Sequence, residues 1–393
     1  MLLPARQKDY PSRRQCGSMT PRDLRAAIPA LDETTFFNTG ASGPSPQSVL
    51  DAATDCLTHH KAEAPAAEGM YTAAGEARAD SRETIAAHLG ADPGEIALTE
   101  STTDAISALA ASIDWQPGDV VVRTDLEHPA GVLPWQRAAR RHGVEVRVLE
   151  TADGRVDRTD YAEAVADARL VCFSSLSWNY GTRLPVSELV EIAHDADCEV
   201  LVDAVQSAGQ TPMDLDAWGA DYVAGSGHKW LLGPWGSGYL YVREGSGEDL
   251  HPAQVCYNSV EDPAAEAYTL KATAHKFERG TASPAPHVGM AAAVDRFESL
   301  GMETVETRIE SLTDQLKKQI PDERLLSPEA FESGLVTVDV DDPEAVVETL
   351  AADGIRIRPL PEPDAVRASV HAFNTEGEVD ALVSALDDCG ALD

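Results

Sequence analysis

From about residue 31 to 245 short apolar runs alternate with segments of helical periodicity, and nothing else in this chain restricts its fold so tightly. The runs are GEIALT (94–99), DVVVRTD (119–125), VEVRVLE (144–150), ARLVCFSSL (168–176), CEVLVDAVQ (198–206), ADYVAGSG (220–227) and GSGYLYVRE (236–244). Most are too apolar to expose one face. Between them STTDAISALAASI, AGVLPWQRAARRHG and PVSELVEIAHDAD repeat apolar residues at helical spacing. Strands that alternate with helices, and are buried on both faces, belong to an α/β domain with a mostly parallel sheet. Seven runs predict seven strands. Ligands of such sheets bind at the carboxyl ends of the strands, so the residues just after each run are the candidates for function.

The pattern changes after about residue 285. A long helical stretch at 289–320 is followed by GLVTVDV, GIRIRPL and AVRASVHAF and by a last helix in TEGEVDALVSALDD. This predicts a smaller α+β domain. The expected division is a large domain at 31–285, a small one built from 19–30 plus 286–393, and an N-terminal extension at 1–18. The extension is basic and lacks the apolar stretch of a secretory signal. It reads as a disordered tail, or as an upstream start with Met19 as the true first residue.

Charge excludes several function classes. The chain has 66 acidic against 31 basic residues, a net charge of −35, spread over its length. Such a surface repels nucleic acid and anionic membranes. No apolar run approaches the ~18 residues of a membrane span. A dispersed acidic surface with few lysines resembles that of proteins from high-salt cytoplasm, haloarchaeal ones among them. It implies stability that rises with salt, because salt screens self-repulsion. Six cysteines without CxxC or regular spacing argue against a disulfide framework and a zinc site, and for a reducing, cytoplasmic compartment. His59-His60 has no partner at metal-ligand spacing, so no metal is expected.

The strand ends carry chemistry. Asp203 closes CEVLVD, and His128 follows VVVRTDLE. Ser101, Thr102, Thr103 and Asp104 open a helix after EIALTE. Free N–H groups and hydroxyls at a helix start suit an anion. His228 and Lys229 follow YVAGSG. An acid, an imidazole, an anion cradle and an amine thus fall on one edge of one sheet. GSGHKW does not match a phosphate-binding P-loop, and no GxGxxG follows the first strand.

This constellation resembles the class V, fold-type I enzymes that use pyridoxal 5′-phosphate (PLP). The resemblance runs from FFNTGASGPSP (36–46) to VRASVHAFNTEGEVD (366–380) and is most specific in EHPAGVLPWQ, LVDAVQSAGQTPMDLDAWGADYVAGSGHKWLLGPWGSGYLYVRE and FERGTAS. It implies that Lys229 forms the Schiff base with the cofactor and moves the substrate α-proton. It implies that Asp203 keeps the pyridine nitrogen protonated, that His128 stacks on the ring, and that Gln206 reaches the ring hydroxyl. Thr102, Thr103, Ser226 and His228 resemble phosphate ligands. Thr281 resembles the threonine that reaches the phosphate in a neighbouring subunit, which implies a homodimer. Arg367 resembles the arginine that holds the substrate α-carboxylate.

The nearest likeness is to the cysteine desulfurases, selenocysteine lyases and isopenicillin N epimerase-like proteins, and the chain departs from that pattern twice. The desulfurase thiol sits on a loop between a strand like GIRIRP and one like VRAS. Here the interval is LPEPDA (360–365), short and without cysteine. In SLSWNYGTRLPV (175–186) Trp178 replaces the usual asparagine and Asn179 follows it, a candidate substrate contact. These departures favour transamination or epimerase-like proton transfer on an amino acid. C–S or C–Se cleavage is the alternative, with Cys256 as the reserve thiol, and a PLP-binding scaffold without turnover is a third reading.

Overall fold

A computed structural model describes residues 19–392. The N-terminal extension assigned to 1–18, with its tail and start-site readings, lies outside the described residues. A short strand, β1 (Thr35–Phe36), precedes the main sheet. The seven predicted strands follow as β2 (Ile96–Thr99), β3 (Val120–Thr124), β4 (Glu145–Leu149), β5 (Leu170–Ser174), β6 (Glu199–Asp203), β7 (Tyr222–Ser226) and β8 (Gly238–Val242). They form one sheet in the order β2-β8-β7-β6-β5-β3-β4. The pairs β3–β4, β3–β5, β5–β6 and β6–β7 are parallel, and β8 runs antiparallel to both its neighbours. The mostly parallel α/β architecture is therefore as expected.

Alternation along each strand divides the core in two. Val171 and Phe173 face one side with Val200, Val202 and Tyr239. Leu170 and Cys172 face the other with Leu201, Tyr222 and Leu240. Fully burying a side chain of this size contributes roughly 1.5–3 kcal/mol, so both faces must be covered by helices. The edges are managed differently. At β4, exposed Glu145 and half-buried Arg147 break up the open edge. At β2 the edge is buried, and the Leu98 N–H donates to the Glu278 carboxylate at 3.0 Å.

The C-terminal part holds a second sheet of β9 (Leu335–Asp339), β11 (Arg358–Pro361) and β12 (Asp364–Ser369), in the order β11-β12-β9 and antiparallel throughout. The two-residue β10 (Ile355–Arg356) pairs instead with β1. A separate apolar cluster packs under this sheet, including Phe37, Val336, Val366 and Leu382. Segment 19–30 touches both parts. Leu24 and Ile28 join the core of the large sheet, whereas Arg25 pairs with Glu378. The helical stretch expected at 289–320 is two helices, Ala285–Leu300 and Met302–Lys317, divided at Gly301 with φ 78°. A positive φ suits glycine and stops the first helix.

Candidate active site

The carboxyl ends of β2, β3, β5, β6 and β7 all open on the same edge, and a cavity lies there. Its lining includes Thr102, Thr103, His128, Asp203, Gln206, Ser226, His228 and Lys229, eight of the residues singled out from the sequence. Gly40, Trp178, Trp235 and Arg358 line it as well.

Lys229 is placed by a tight turn after β7. The Gly227 N–H donates to Ser237 O and the Gly233 N–H to Gly227 O, each at 2.8 Å, and the Leu232 N–H donates to Lys229 O at 3.1 Å. Gly43 runs against this turn, and a Cβ there would stand 2.3 Å from Lys229 O, so only glycine fits. Burial lowers the pKa of Lys229 to about 8; Arg367 and Arg358 push the same way and Asp203 opposes them. A lysine in this position holds a sizeable neutral fraction near physiological pH, as an amine nucleophile requires.

Asp203 ends β6 and is buried. Burial raises its pKa to about 6, against the stabilising Val205 N–H at 2.9 Å and the nearby Lys229. His128 caps a short turn after β3, its Nδ1 accepting from the Ala130 N–H at 3.2 Å. That bond places the ring proton on Nε2. Burial, with Lys229, Arg358 and Arg367 adding to it, lowers its pKa to about 4, so the ring is neutral. It meets Trp178 edge to face at 5.5 Å between ring centroids.

The anion cradle is the start of the Thr102–Ser112 helix, capped by Ser101. The Thr102 N–H donates to Ser226 Oγ at 2.7 Å, and the two hydroxyls lie 2.8 Å apart. This ties the helix start to the end of β7. Gly238 permits the approach, since a Cβ there would lie 2.7 Å from Ser101 Cα. The glycines of this stretch thus serve close backbone packing. His228 packs at a tilt on Trp235, with ring centroids 5.6 Å apart. Burial foremost and Lys229 next lower its pKa to about 4.

The remaining sequence candidates lie elsewhere or are otherwise engaged. The Gln206 amide donates to Gly40 O at 3.0 Å and accepts from Trp230 Nε1 at 2.8 Å. Asn179 is not in the cavity lining. Its side chain accepts from Ser177 Oγ at 2.6 Å and donates to Glu362 O at 3.3 Å, bracing a turn, while Trp178 faces the cavity. Thr281 lies in a separate depression with Tyr71, Arg78 and Tyr257, away from its own chain's Lys229. Arg367 is fully buried just behind the lining, its Nη2 being 2.9 Å from where a Cβ on Gly40 would stand. Its Nη1 donates to Trp178 O at 2.6 Å, while Nε and Nη2 have no partner among the described residues.

Two residues were missed in the sequence. Glu127, just before His128, is buried and accepts from Thr124 Oγ1 at 2.7 Å, Ser174 N–H at 2.9 Å and Ser174 Oγ at 2.8 Å. Burial raises its pKa to about 7. An acid directly after an apolar strand and before a candidate histidine was the available signal. Arg358 lines the cavity from β11, and its signal was its place opposite Arg367 across a short hairpin.

The model of the family described as "Aminotransferase class-V" matches residues 35–382. This chain belongs to the class V aminotransferase family. It is 30% identical to a probable cysteine desulfurase of Methanothermobacter thermautotrophicus over 95% of this chain and 99% of that one. It is 32% identical to a cysteine desulfurase of Haloferax volcanii over 91% of this chain and 90% of the other. The apo cysteine desulfurase of Thermococcus onnurineus superposes with a TM-score of 0.87 at 28% identity, covering 95% of this chain and 99% of that one. The cystine C–S lyase C-DES, in complex with its product cysteine persulfide, superposes with a TM-score of 0.85 at 29% identity, covering 92% and 99%. The family expected from the sequence is the one matched, and the class V enzyme uses PLP, the cofactor covalently linked to glycine in another C-DES structure. Transamination and epimerase-like transfer find no counterpart among these relatives, whereas C–S cleavage does.

The residues fit PLP. A buried acid for the pyridine nitrogen, a helix start with hydroxyls for the phosphate and a lysine of lowered pKa share one cavity. Two buried nitrogens of Arg367 are without a hydrogen-bond partner among the described residues, which fits an anion beside them. Among the described residues no helix is long and apolar enough to cross a membrane, and no group of side chains is arranged to hold a metal ion.

Proposed function

We propose that this chain is a PLP-dependent C–S lyase that cleaves a sulfur-containing amino acid without a protein thiol. The observation that carries this reading is the turn between β11 and β12. Pro361 pairs with Asp364, so the turn holds only Glu362 and Pro363 and leaves no room for a cysteine-bearing loop. Among the described residues no cysteine lines the cavity. Cys172 and Cys198 are buried in the core, which raises both thiol pKa values, that of Cys198 to about 12. Cys256 donates its thiol hydrogen to Glu278 O at 3.2 Å and is not in the cavity lining. A thiol acceptor must be a reachable thiolate, whereas elimination needs none.

PLP supplies an electron sink for the bond changes at Cα and Cβ. Asp203, buried at the end of β6, would hold the ring nitrogen of PLP and favour its protonated form. Thr102, Thr103, Ser226 and His228 would hold the phosphate at the helix start, His128 would cover the ring, and the second amide N–H of Gln206 would be available to the ring hydroxyl. Arg367 holds the substrate α-carboxylate through its unpartnered nitrogens. Lys229 holds the cofactor and then takes the α-proton at Nζ. The Cβ–S bond breaks with its electron pair leaving on sulfur, and water converts the remaining three-carbon unit to pyruvate and ammonia. For L-cystine this balances as cystine plus water giving pyruvate, ammonia and cysteine persulfide. Thr281 of a second copy completes the phosphate site in a homodimer. The reading is tested by Cys256→Ser. The variant should form pyruvate from L-cystine at the wild-type rate, and a loss of turnover with the fold intact would overturn thiol-free cleavage.

A further inference from the structure

The ladder between β3 and β5 stops at Arg123 and Cys172, short of the ends of both strands. Beyond it one buried side chain joins them. The Glu127 carboxylate accepts from Thr124 Oγ1 at 2.7 Å on β3, and from the N–H and Oγ of Ser174 at 2.9 and 2.8 Å on β5. This clamp reaches both ionisable groups that the two strands bring to the cavity. Ser174 is the register partner of Asp203, and the Ser175 N–H donates to Asp203 O at 2.9 Å. His128 follows Glu127 in the chain, and its carbonyl accepts from the Gly131 N–H at 2.7 Å. A Cβ on Gly131 would stand 3.1 Å from Glu127 Oε2, so the turn that presents His128 is folded against the carboxylate.

All three donors are neutral. Among the described residues no lysine or arginine pairs with Glu127, whereas the buried Glu278 meets Arg82 at 2.7 Å. The titratable and charged groups packed around Glu127 are Asp203 from β6, Cys172 from β5, His128 beside it and Arg123 from β3, whose Nη1 is spent on Thr124 O at 2.8 Å. Lys229 offsets Asp203 rather than Glu127. A buried carboxylate without a cation is costly when charged, and here a second acid stands beside it. Burial foremost raises the pKa of Glu127 to about 7; Thr124 opposes the rise, the charge of Asp203 adds to it and Ser174 opposes it. Asp203, with a pKa of about 6, ionises first. Glu127 is therefore the member of the pair that keeps a proton near neutrality.

We propose that Glu127 is a positioning residue that acts through Asp203: it holds a proton while the Asp203 charge bears on it, and releases that proton to solvent when the protonated ring nitrogen of PLP offsets the charge. The bond that breaks is the carboxyl O–H of Glu127, and water carries the proton away. Coupling of this kind is reciprocal. Ionised Glu127 adds a negative charge next to Asp203, so the cofactor is held more tightly as pH rises through neutrality. The proposal rests on the placement of Asp203 at the ring nitrogen and not on the C–S lyase reading.

The test uses the full chain freed of PLP, labelled with the NMR-active carbon isotope at its glutamate carboxyls, and pyridoxine 5′-phosphate, whose alcohol cannot react with Lys229. In the wild type one glutamate should titrate near neutrality, and its resonance should be missing from Glu127→Gln. With the analogue bound, the midpoint should fall by roughly half a unit to one unit, less than the shift from a cation in direct contact. By linkage, the wild type should gain about three- to tenfold more in affinity for the analogue than Glu127→Gln does, from about pH 6 to about pH 8. A purely structural clamp would move neither quantity. A wild-type midpoint unmoved by the analogue overturns the proposal, and so does the absence of any glutamate titrating near neutrality; neither result needs the variant to fold. Failure of the Asp203 placement is distinct, because Asp203→Asn would then bind the analogue as tightly as the wild type. Failure of the lyase reading leaves the titration untouched.

Discussion

The two walls of the cavity are built on opposite electrostatic plans. On the large-sheet side several charged and polar groups lean on one another. Asp203 opposes Lys229, Ser226 meets Thr102, and Glu127 is held by Thr124 and Ser174. On the hairpin wall two arginines are paired across the ladder, and neither meets an acid among the described residues. A wall with internal partners keeps its geometry before any ligand arrives, which suits a resident cofactor. A wall with unpaired cations is completed by what binds, which suits a transient anionic substrate. Substitutions on the first wall should therefore disturb the cofactor, and those on the second should disturb the substrate alone.

The largest break should come from Lys229→Ala. The yellow absorbance of the covalently held cofactor should vanish, and turnover should fall by at least about a thousandfold. Retention of both would remove Lys229 from the chemistry. Next, Arg367→Gln should raise the KM for any amino-acid substrate by roughly ten- to a hundredfold, the range of a lost charge-assisted pair, with PLP content unchanged. Loss of PLP in that variant would mean that the two walls are not separable.

A subtler contrast concerns protons. The neutral amine of Lys229 grows as pH rises through about 8. PLP uptake by the apo-protein, followed in a stopped-flow spectrophotometer, should accelerate through that range and level off above it. Asp203→Asn removes the carboxylate that favours the lysine's charged form, so the midpoint should move to lower pH. A midpoint that stays in place would deny that the two residues interact.

The cofactor wall was legible in the sequence because its residues sit where apolar runs stop, and parallel strands place their ends on one edge. Asp203 and Lys229 stood out at strand ends and Thr102 at a helix start, whereas Ser226 and the roles of all four were implied by the family resemblance. Asn179 was misplaced because its partners, Ser177 and the Glu362 carbonyl, come from a turn and from a hairpin far along the chain. Arg358 was missed for a related reason. Its role depends on the register that sets it against Arg367, and a one-residue slip would have turned it to the other face. The break at Gly301 was hidden because periodicity on both sides of it is helical.

The fate of the sulfur distinguishes thiol-free elimination from transfer to a protein thiol. Holoenzyme is incubated with L-cystine, and small-molecule and protein fractions are separated and analysed by mass spectrometry. Thiol-free elimination predicts pyruvate and cysteine persulfide in the small-molecule fraction in equal amounts, with no sulfur added to the protein. Alanine as the three-carbon product, with a persulfide carried on one of the chain's own cysteines, would contradict it.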